Sequence, residues 1–232
     1  MNIHHRLPPA RVYHGRKPRL AELCRGKRVL HLGCVDAGHM QEQIRAGTLL
    51  HLKLLEVAAE VWGLDLDAEG IQAMQRMGIP NLLAGNVESL HEVPALQGQS
   101  FDVVLASEVL EHVQNPGLFL ESIKPWVRTG AKFVLTIPHA FSFDVAWYLL
   151  RNVEQVHPDH NYWFSYRTIR TLLEKSGYRL DDVALYSSHY GIGWKPARGL
   201  RSRLKAAVAW LLSRPSPFLG ANGLIVTASP NS

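Results

Sequence analysis

The chain holds only two cysteines in 232 residues, Cys24 and Cys34. Two cysteines cannot make a disulfide scaffold, and their spacing fits no zinc pattern. A reducing, cytoplasmic compartment is therefore expected. No apolar segment follows Met1, because the stretch to Arg11 is polar and holds Pro8 and Pro9, so no secretory signal is expected. No run of about 18 apolar residues occurs anywhere, so no membrane span is expected. Ala206 to Leu212 is the most lipid-like piece, and it is too short. Internal repeats and low-complexity tracts are absent. Charged residues reach only 19% against 47% hydrophobic, which excludes a disordered chain. Glycine at 18 and proline at 13 are ordinary and exclude a collagen-like one. The length suits one domain with at most a small appendage.

The formal net charge of +5 is unevenly placed. Residues 1–28 carry eight Lys/Arg against one acid, Glu22, and residues 198–214 carry five Lys/Arg and no acid. The rest of the chain is mildly acidic. Two basic segments on such a body can attract an anionic partner, but solvated terminal arms are the simpler reading. The division expected is a basic N-terminal arm or helix over 1–26 and one larger domain over 27–232. Within that domain, 140–165 and 195–220 read as lid or substrate-side insertions.

What the chain does contain is an alternation of short apolar runs with helix-length stretches. The runs are Arg28–Gly33, Val61–Asp65, Asn81–Ala84, Phe101–Ala106 and Lys132–Ile137. That alternation predicts βαβ crossovers and a mostly parallel sheet with both faces covered. Helices are expected over His39–Ala59 with a break near Gly47, and over Ala68–Met77 with Asp67 as N-cap. Two more are expected, from Pro116 to about Lys124 capped by Asn115, and over Ser165–Ser176 with Gly177 as the stop. Tyr178–Ser187 and Leu224–Ala228 read as two further strands. The expected fold is α/β, a Rossmann-like sheet of seven strands with helices on both faces and the last strand antiparallel.

In such a sheet, ligands bind beyond the carboxyl ends of the strands, at the switch point. The residues there are Gly33-Cys34-Val35-Asp36-Ala37-Gly38, then Asp65, then Gly85-Asn86-Val87-Glu88, then Ser107 to His112, then Pro138-His139. Glycine lets a backbone approach a ligand closely, and an acid after the second strand can accept from both hydroxyls of a ribose.

Read in this order, the chain resembles the class I S-adenosylmethionine-dependent methyltransferases, in the small-molecule type 11/23 branch that includes ubiquinone-biosynthesis-type O-methyltransferases. KRVLHLGCVDAG is similar to the family's first motif, VWGLDLD to the second and NLLAGNVESL to the third. FDVVLASEVLEHVQNPGLFL, the most specific, is similar to the fourth, and GAKFVLTIPHAFS to the fifth. VHPDHNYWFSYRTIRTLLEKSGY resembles the segment before the sixth strand. The resemblance implies S-adenosyl-L-methionine as cofactor. It implies that Gly33 and Cys34, with Val35 and Gly38 of the same loop, line the methionine part. It places Asp65 on the ribose diol with Leu66 beside it, Asn86 on the adenine amino group with Val87 giving a backbone contact, and Ser107 near the methionine. His112 packs over the cofactor or faces the substrate. Three features depart from the pattern. His31 stands where an acid is usual, Val35 replaces the second glycine, and Gly33 to Asp65 spans thirty-two positions rather than the roughly 20 of the dinucleotide fold.

Methyl transfer to a hydroxyl needs in-line positioning and removal of one proton, and histidine suits the base role. The candidates rank His139, His160, His112, with His139 directly after the fifth strand. His157-Pro158-Asp159-His160 brings two histidines and an acid together, but the resemblance explains this stretch as a lid or support, and no metal is expected. The aromatic stretch Phe141–Phe164 reads as core packing or as an apolar cover for a substrate. Leu200–Leu212 reads as a basic amphipathic helix, packed on the sheet or making a weak membrane-surface contact. The function expected is methyl transfer to a small-molecule acceptor such as a sugar, phenol or specialised metabolite, most simply at a hydroxyl, by a monomer or homodimer without nucleic acid. N- or C-methylation, a nucleotide-dependent oxidoreductase and a non-catalytic domain of the same fold are the alternatives. The missing G-x-G-x-x-G argues against the oxidoreductase.

Overall fold

The computed structural model describes residues 3–127, 130–187 and 216–231, with positions 207, 208, 211 and 214. Eight strands form one sheet: β1 (Val12–His14), β2 (Arg28–Leu32), β3 (Glu60–Asp65), β4 (Leu82–Ala84), β5 (Val103–Ser107), β6 (Lys132–Pro138), β7 (Tyr178–Ser187) and β8 (Gly223–Pro230). Their order is β1-β7-β8-β6-β5-β2-β3-β4. β8 runs antiparallel to both its neighbours, β6 and β7, and the other pairs are parallel. The last strand is thus antiparallel, as expected.

The count of seven needs one correction. Val12–His14 adds an eighth strand at the edge, in register with Leu185–Ser187 of β7. Three residues with two exposed side chains carry no apolar run that a sequence reading could register. The N-terminal segment therefore holds its helix, α1 (Lys17–Cys24), and also an edge strand of the main sheet.

Each central strand buries both faces. Leu30, Leu32, Val104, Ala106, Phe133 and Leu135 enter one apolar cluster, while Val29, Val103, Leu105 and Val134 enter a second with Leu20 and Cys24 of α1. This is the packing that near-continuous apolar strands demand. Each such side chain withdrawn from water contributes about 1.5–3 kcal/mol.

The helices follow their caps. The His39–Ala59 stretch splits into α2 (Met40–Arg45) and α3 (Leu50–Leu55), with Gly47 at φ 62 between them. Asp67 caps α4 (Ala68–Arg76) by accepting from Gly70 N, and Asn115 caps α5 (Pro116–Ile123) by accepting from Gly117 N and Leu118 N. The short α6 (Phe143–Leu149) follows β6. Ser165 and Thr168 form a reciprocal capping box on α7 (Tyr166–Lys175), which stops before Gly177 at φ 79. α8 (Pro217–Gly220) precedes β8. Among the described residues no helix is long and apolar enough to cross a membrane. The helix expected over 200–212 lies outside the described residues, apart from 207, 208 and 211.

Candidate functional site

Strand order reverses between β2 and β5, which leave the sheet side by side and diverge to opposite halves. The loops after β2, β3, β4 and β5 therefore surround one crevice.

The β2 loop is set by Gly33, at φ 72, where an added Cβ would stand 2.5 Å from Val109 Cγ2. Its amide donates to Leu64 O at 2.9 Å, so the turn is stitched to β3. At the end of β3, Asp65 is half-buried and its two carboxylate oxygens are held by separate amides. Val35 N donates to Oδ2 at 2.8 Å and Asp67 N to Oδ1 at 3.0 Å. Burial raises the Asp65 pKa, against the opposing pull of those amides. Each oxygen keeps a further lone pair for a ligand. Leu66 beside it is 74% exposed, an apolar face next to a polar anchor. Asn86 Oδ1 accepts from Glu88 N, which shapes the short turn that begins at Val87. Gly38, at φ 83, has open space where a Cβ would be.

Two of the departures from the family pattern are absorbed by the core behind the loop. Val35 is fully buried and packs on Gly70 of α4, whose missing Cβ supplies the room. His31 is buried beneath the loop and meets His51 of α3, with Nδ1···Nδ1 3.2 Å and the rings stacked. Burial pushes His31 well below its ordinary pKa and His51 down to about 4, so both rings are neutral and one donates to the other. Cys34 turns its thiol inward, beside Gly63, and burial pushes that thiol well up. Its backbone alone faces the loop side.

The β5 loop carries a second group of polar side chains. Ser107 Oγ receives Arg16 Nε at 3.1 Å and shares a hydrogen bond with Thr136 Oγ1. Glu108, at φ 57, accepts from Thr136 Oγ1 at 2.7 Å and from Tyr186 OH at 3.1 Å. Arg16 Nε lies 4.0 Å from the same carboxylate. Burial would lower the Arg16 pKa, but Glu108 and Tyr186 outweigh it and the net direction is up. Glu111 is wholly buried, and burial with the Glu108 charge pushes its carboxyl well above the usual range. Sequence reading missed Arg16, Glu108, Glu111 and Tyr186. Arg16 precedes the Lys-Pro that opens α1, and the two glutamates lie within the fourth motif, but neither signal places them together.

The three histidines proposed as bases do not share one environment. His139 is 97% covered, edge-on to Phe141 and Phe218, and burial lowers it to about 4. His112 is exposed and stands edge-on to His160, ring centroids 4.5 Å apart, with His157 at 5.6 Å. His157 and His160 line a groove of about 640 Å³ together with Asp144, Tyr148, Trp163 and Asn222. The 157–162 strap is tied down to the β5 loop. Asn161 N donates to Glu111 O, Asn161 Nδ2 to His112 O at 2.9 Å, and Tyr162 OH to Gln114 O at 2.8 Å.

Known proteins share this chain's family and fold. A family model described as a methyltransferase domain matches residues 3–183. A ubiquinone biosynthesis O-methyltransferase from Chelativorans sp. is 30% identical over 54% of this chain and 46% of its own length. One from Xanthomonas axonopodis pv. citri is 26% identical over 78% of this chain and 72% of its own. The chain therefore spans about half the length of the first and nearly three quarters of the second. Among solved structures, a SAM-dependent methyltransferase from Archaeoglobus fulgidus superposes with a TM-score of 0.56, at 18% identity, over 91% of each chain. The matched span reaches into the N-terminal segment and takes in β1, α1 and Arg16. The chain belongs to the methyltransferase-domain family.

Proposed function

We propose that this chain binds S-adenosylmethionine in the β2–β5 crevice and transfers its methyl group to a hydroxyl of a small molecule held in the 157–163 groove. The observation that carries the reading is Asp65. Its carboxylate is fixed by two backbone amides at the end of β3, beside a turn that only glycine can make, and it keeps lone pairs for a ribose diol. Leu66 offers an apolar face beside that anchor, and Asn86 and Val87 stand at the next strand end. Gly33, Gly38 and the backbone of Cys34 and Val35 line the methionine side with Ser107. Arg16, half-buried at Ser107, is the cation suited to the methionine carboxylate. Both departures in the first motif point into the core, so neither blocks the crevice.

When bound, the cofactor supplies a methyl group on a sulfonium, whose leaving group is a neutral thioether. The chain's work is to align the acceptor oxygen and to take up its proton. Among the three histidines, geometry favours His160, which lines the groove, and His112, edge-on to it, over His139, which Phe141 and Phe218 wall off. The names of the two relatives favour oxygen over nitrogen or carbon as acceptor, and the groove's size suits a small molecule rather than nucleic acid. Residues 140–165 act as the lid of that groove.

Calorimetric titration with S-adenosylmethionine and S-adenosylhomocysteine, with NAD as control, tests the reading. Binding of the methyl-donor pair is expected, and Asp65→Ala should weaken it about a hundredfold, since hydrogen bonds to a charged group contribute about 1.5–3 kcal/mol each. If the wild-type protein binds neither, the reading fails and a non-catalytic domain takes its place.

A further inference from the structure

We propose that His112, His157 and His160 form a binding site for a divalent transition cation of the zinc or cobalt type at the rim of the groove. Each of the three offers one ring nitrogen, and those atoms all lie within 4.8 Å of one another. Ring centroids are 4.5, 5.3 and 5.6 Å apart. A cation about 2.0–2.1 Å from each nitrogen needs them somewhat closer, a change within reach of side-chain rotation. The sequence reading expected no metal in this stretch, because the resemblance explains it as a lid or support. The fold adds His112 from the loop after the central strand β5.

The donor set fixes the class of cation. Neutral imidazoles suit zinc, cobalt, nickel and copper, whereas magnesium and calcium take oxygen ligands. His160 Nδ1 is buried with no hydrogen-bond partner. His157 Nδ1 accepts from Asp159 N at 3.3 Å, and the Asp159 carboxylate lies 3.9 Å from the same nitrogen, beyond hydrogen-bond reach. The scaffold is fixed on both sides by the bonds from Asn161 and Tyr162 to the 111–114 loop. Three protein ligands leave the remaining coordination to water. This site stands on the strap's geometry and does not rest on the methyl-transfer reading. A lone pair engaged by a cation cannot take up a proton, so a loaded ring is not also the base.

The test is cobalt(II) titration of the tag-free, chelator-stripped protein, followed by visible absorption. One equivalent should bind and give the ligand-field bands of imidazole-bound cobalt. His157→Ala and His160→Ala should each weaken uptake at least about a hundredfold, since outer-shell partners alone cost 10–100-fold. A His4→Ala/His5→Ala variant, which removes the N-terminal histidine pair, should bind as the wild type does. Uptake unchanged by His157→Ala and His160→Ala, or no stoichiometric uptake at all, overturns the site. His157 is half-exposed, so its variant is expected to fold. Titration of each variant with S-adenosylhomocysteine checks that the crevice is intact. If the wild-type protein binds cobalt but not S-adenosylhomocysteine, the methyl-transfer reading falls and the metal site stands.

Discussion

The two halves of the sheet's carboxyl edge are held together over very different stretches of chain. On the β2–β4 side, Asp65 is fixed by Asp67, two residues on, and by Val35, thirty residues back, and Asn86 is fixed by Glu88. On the β5–β6 side the partners are distant. Arg16 reaches Ser107 across 91 residues, Tyr186 reaches Glu108 across 78, and Asn161 reaches His112 across 49. One half is a set of local turns, each made by its own strand end. The other is assembled from the N-terminal segment, the strap and the last strands. A local half can keep its shape while the assembled half varies, which suits a common cofactor and a variable acceptor.

The largest expected effect is on the local half. Gly33→Ala puts a side chain at φ 72, costing about 1–2 kcal/mol for the left-handed backbone. The new Cβ also meets the stiff, β-branched Val109 at 2.5 Å, so that side chain must move. Destabilisation of about 2–4 kcal/mol is expected in urea unfolding, with loss of S-adenosylhomocysteine binding. A variant that kept full stability would show that the turn is not the rigid element it looks to be.

A second expected effect is a pH dependence from behind the same loop. His31 and His51 ionise near 6.5 in an unfolded chain but remain neutral in the folded one, His51 down to about 4. Between those values the unfolded chain binds more protons, so stability falls as the pH falls through that window. The double variant His31→Leu/His51→Leu should show a shallower loss between pH 6.5 and 4 in urea midpoints. An unchanged slope would assign the effect to other buried histidines, such as His139.

The same contrast explains what the sequence made legible. Strands β2 to β8 announced themselves as apolar runs, and Asp67 and Asn115 as caps, because each depends on residues within one turn or one strand. The turns around the β2–β5 crevice were legible for the same reason, since they follow strand ends in order. β1 was not, because its three residues gain their strand character only from the edge of β7. The partner of His31 was not legible either, since nothing in α3 marks His51 as the ring that would meet it. His139 ranked first as a base on its place after β6, but its burial between Phe141 and Phe218 is set by α8 and the loop before α6. Chain position gives the strand end, and only tertiary packing gives the exposure.

The smallest effect separates the halves most cleanly. Asn161→Ala removes two side-chain bonds, to His112 O at 2.9 Å and to Val113 O at 3.2 Å, on a partly exposed strap. Each such bond contributes about 0.5–1.5 kcal/mol, so a loss of about 1–2 kcal/mol is expected in urea unfolding. Because the Asn161 amide still donates to Glu111 O and Tyr162 OH to Gln114 O, the strap should loosen without detaching. Cobalt uptake at the three histidines should then weaken several-fold, while S-adenosylhomocysteine binding should stay within about twofold of wild type. Equal losses in both would mean that the strap and the crevice move as one body, and the division drawn between the local and the assembled half would not hold.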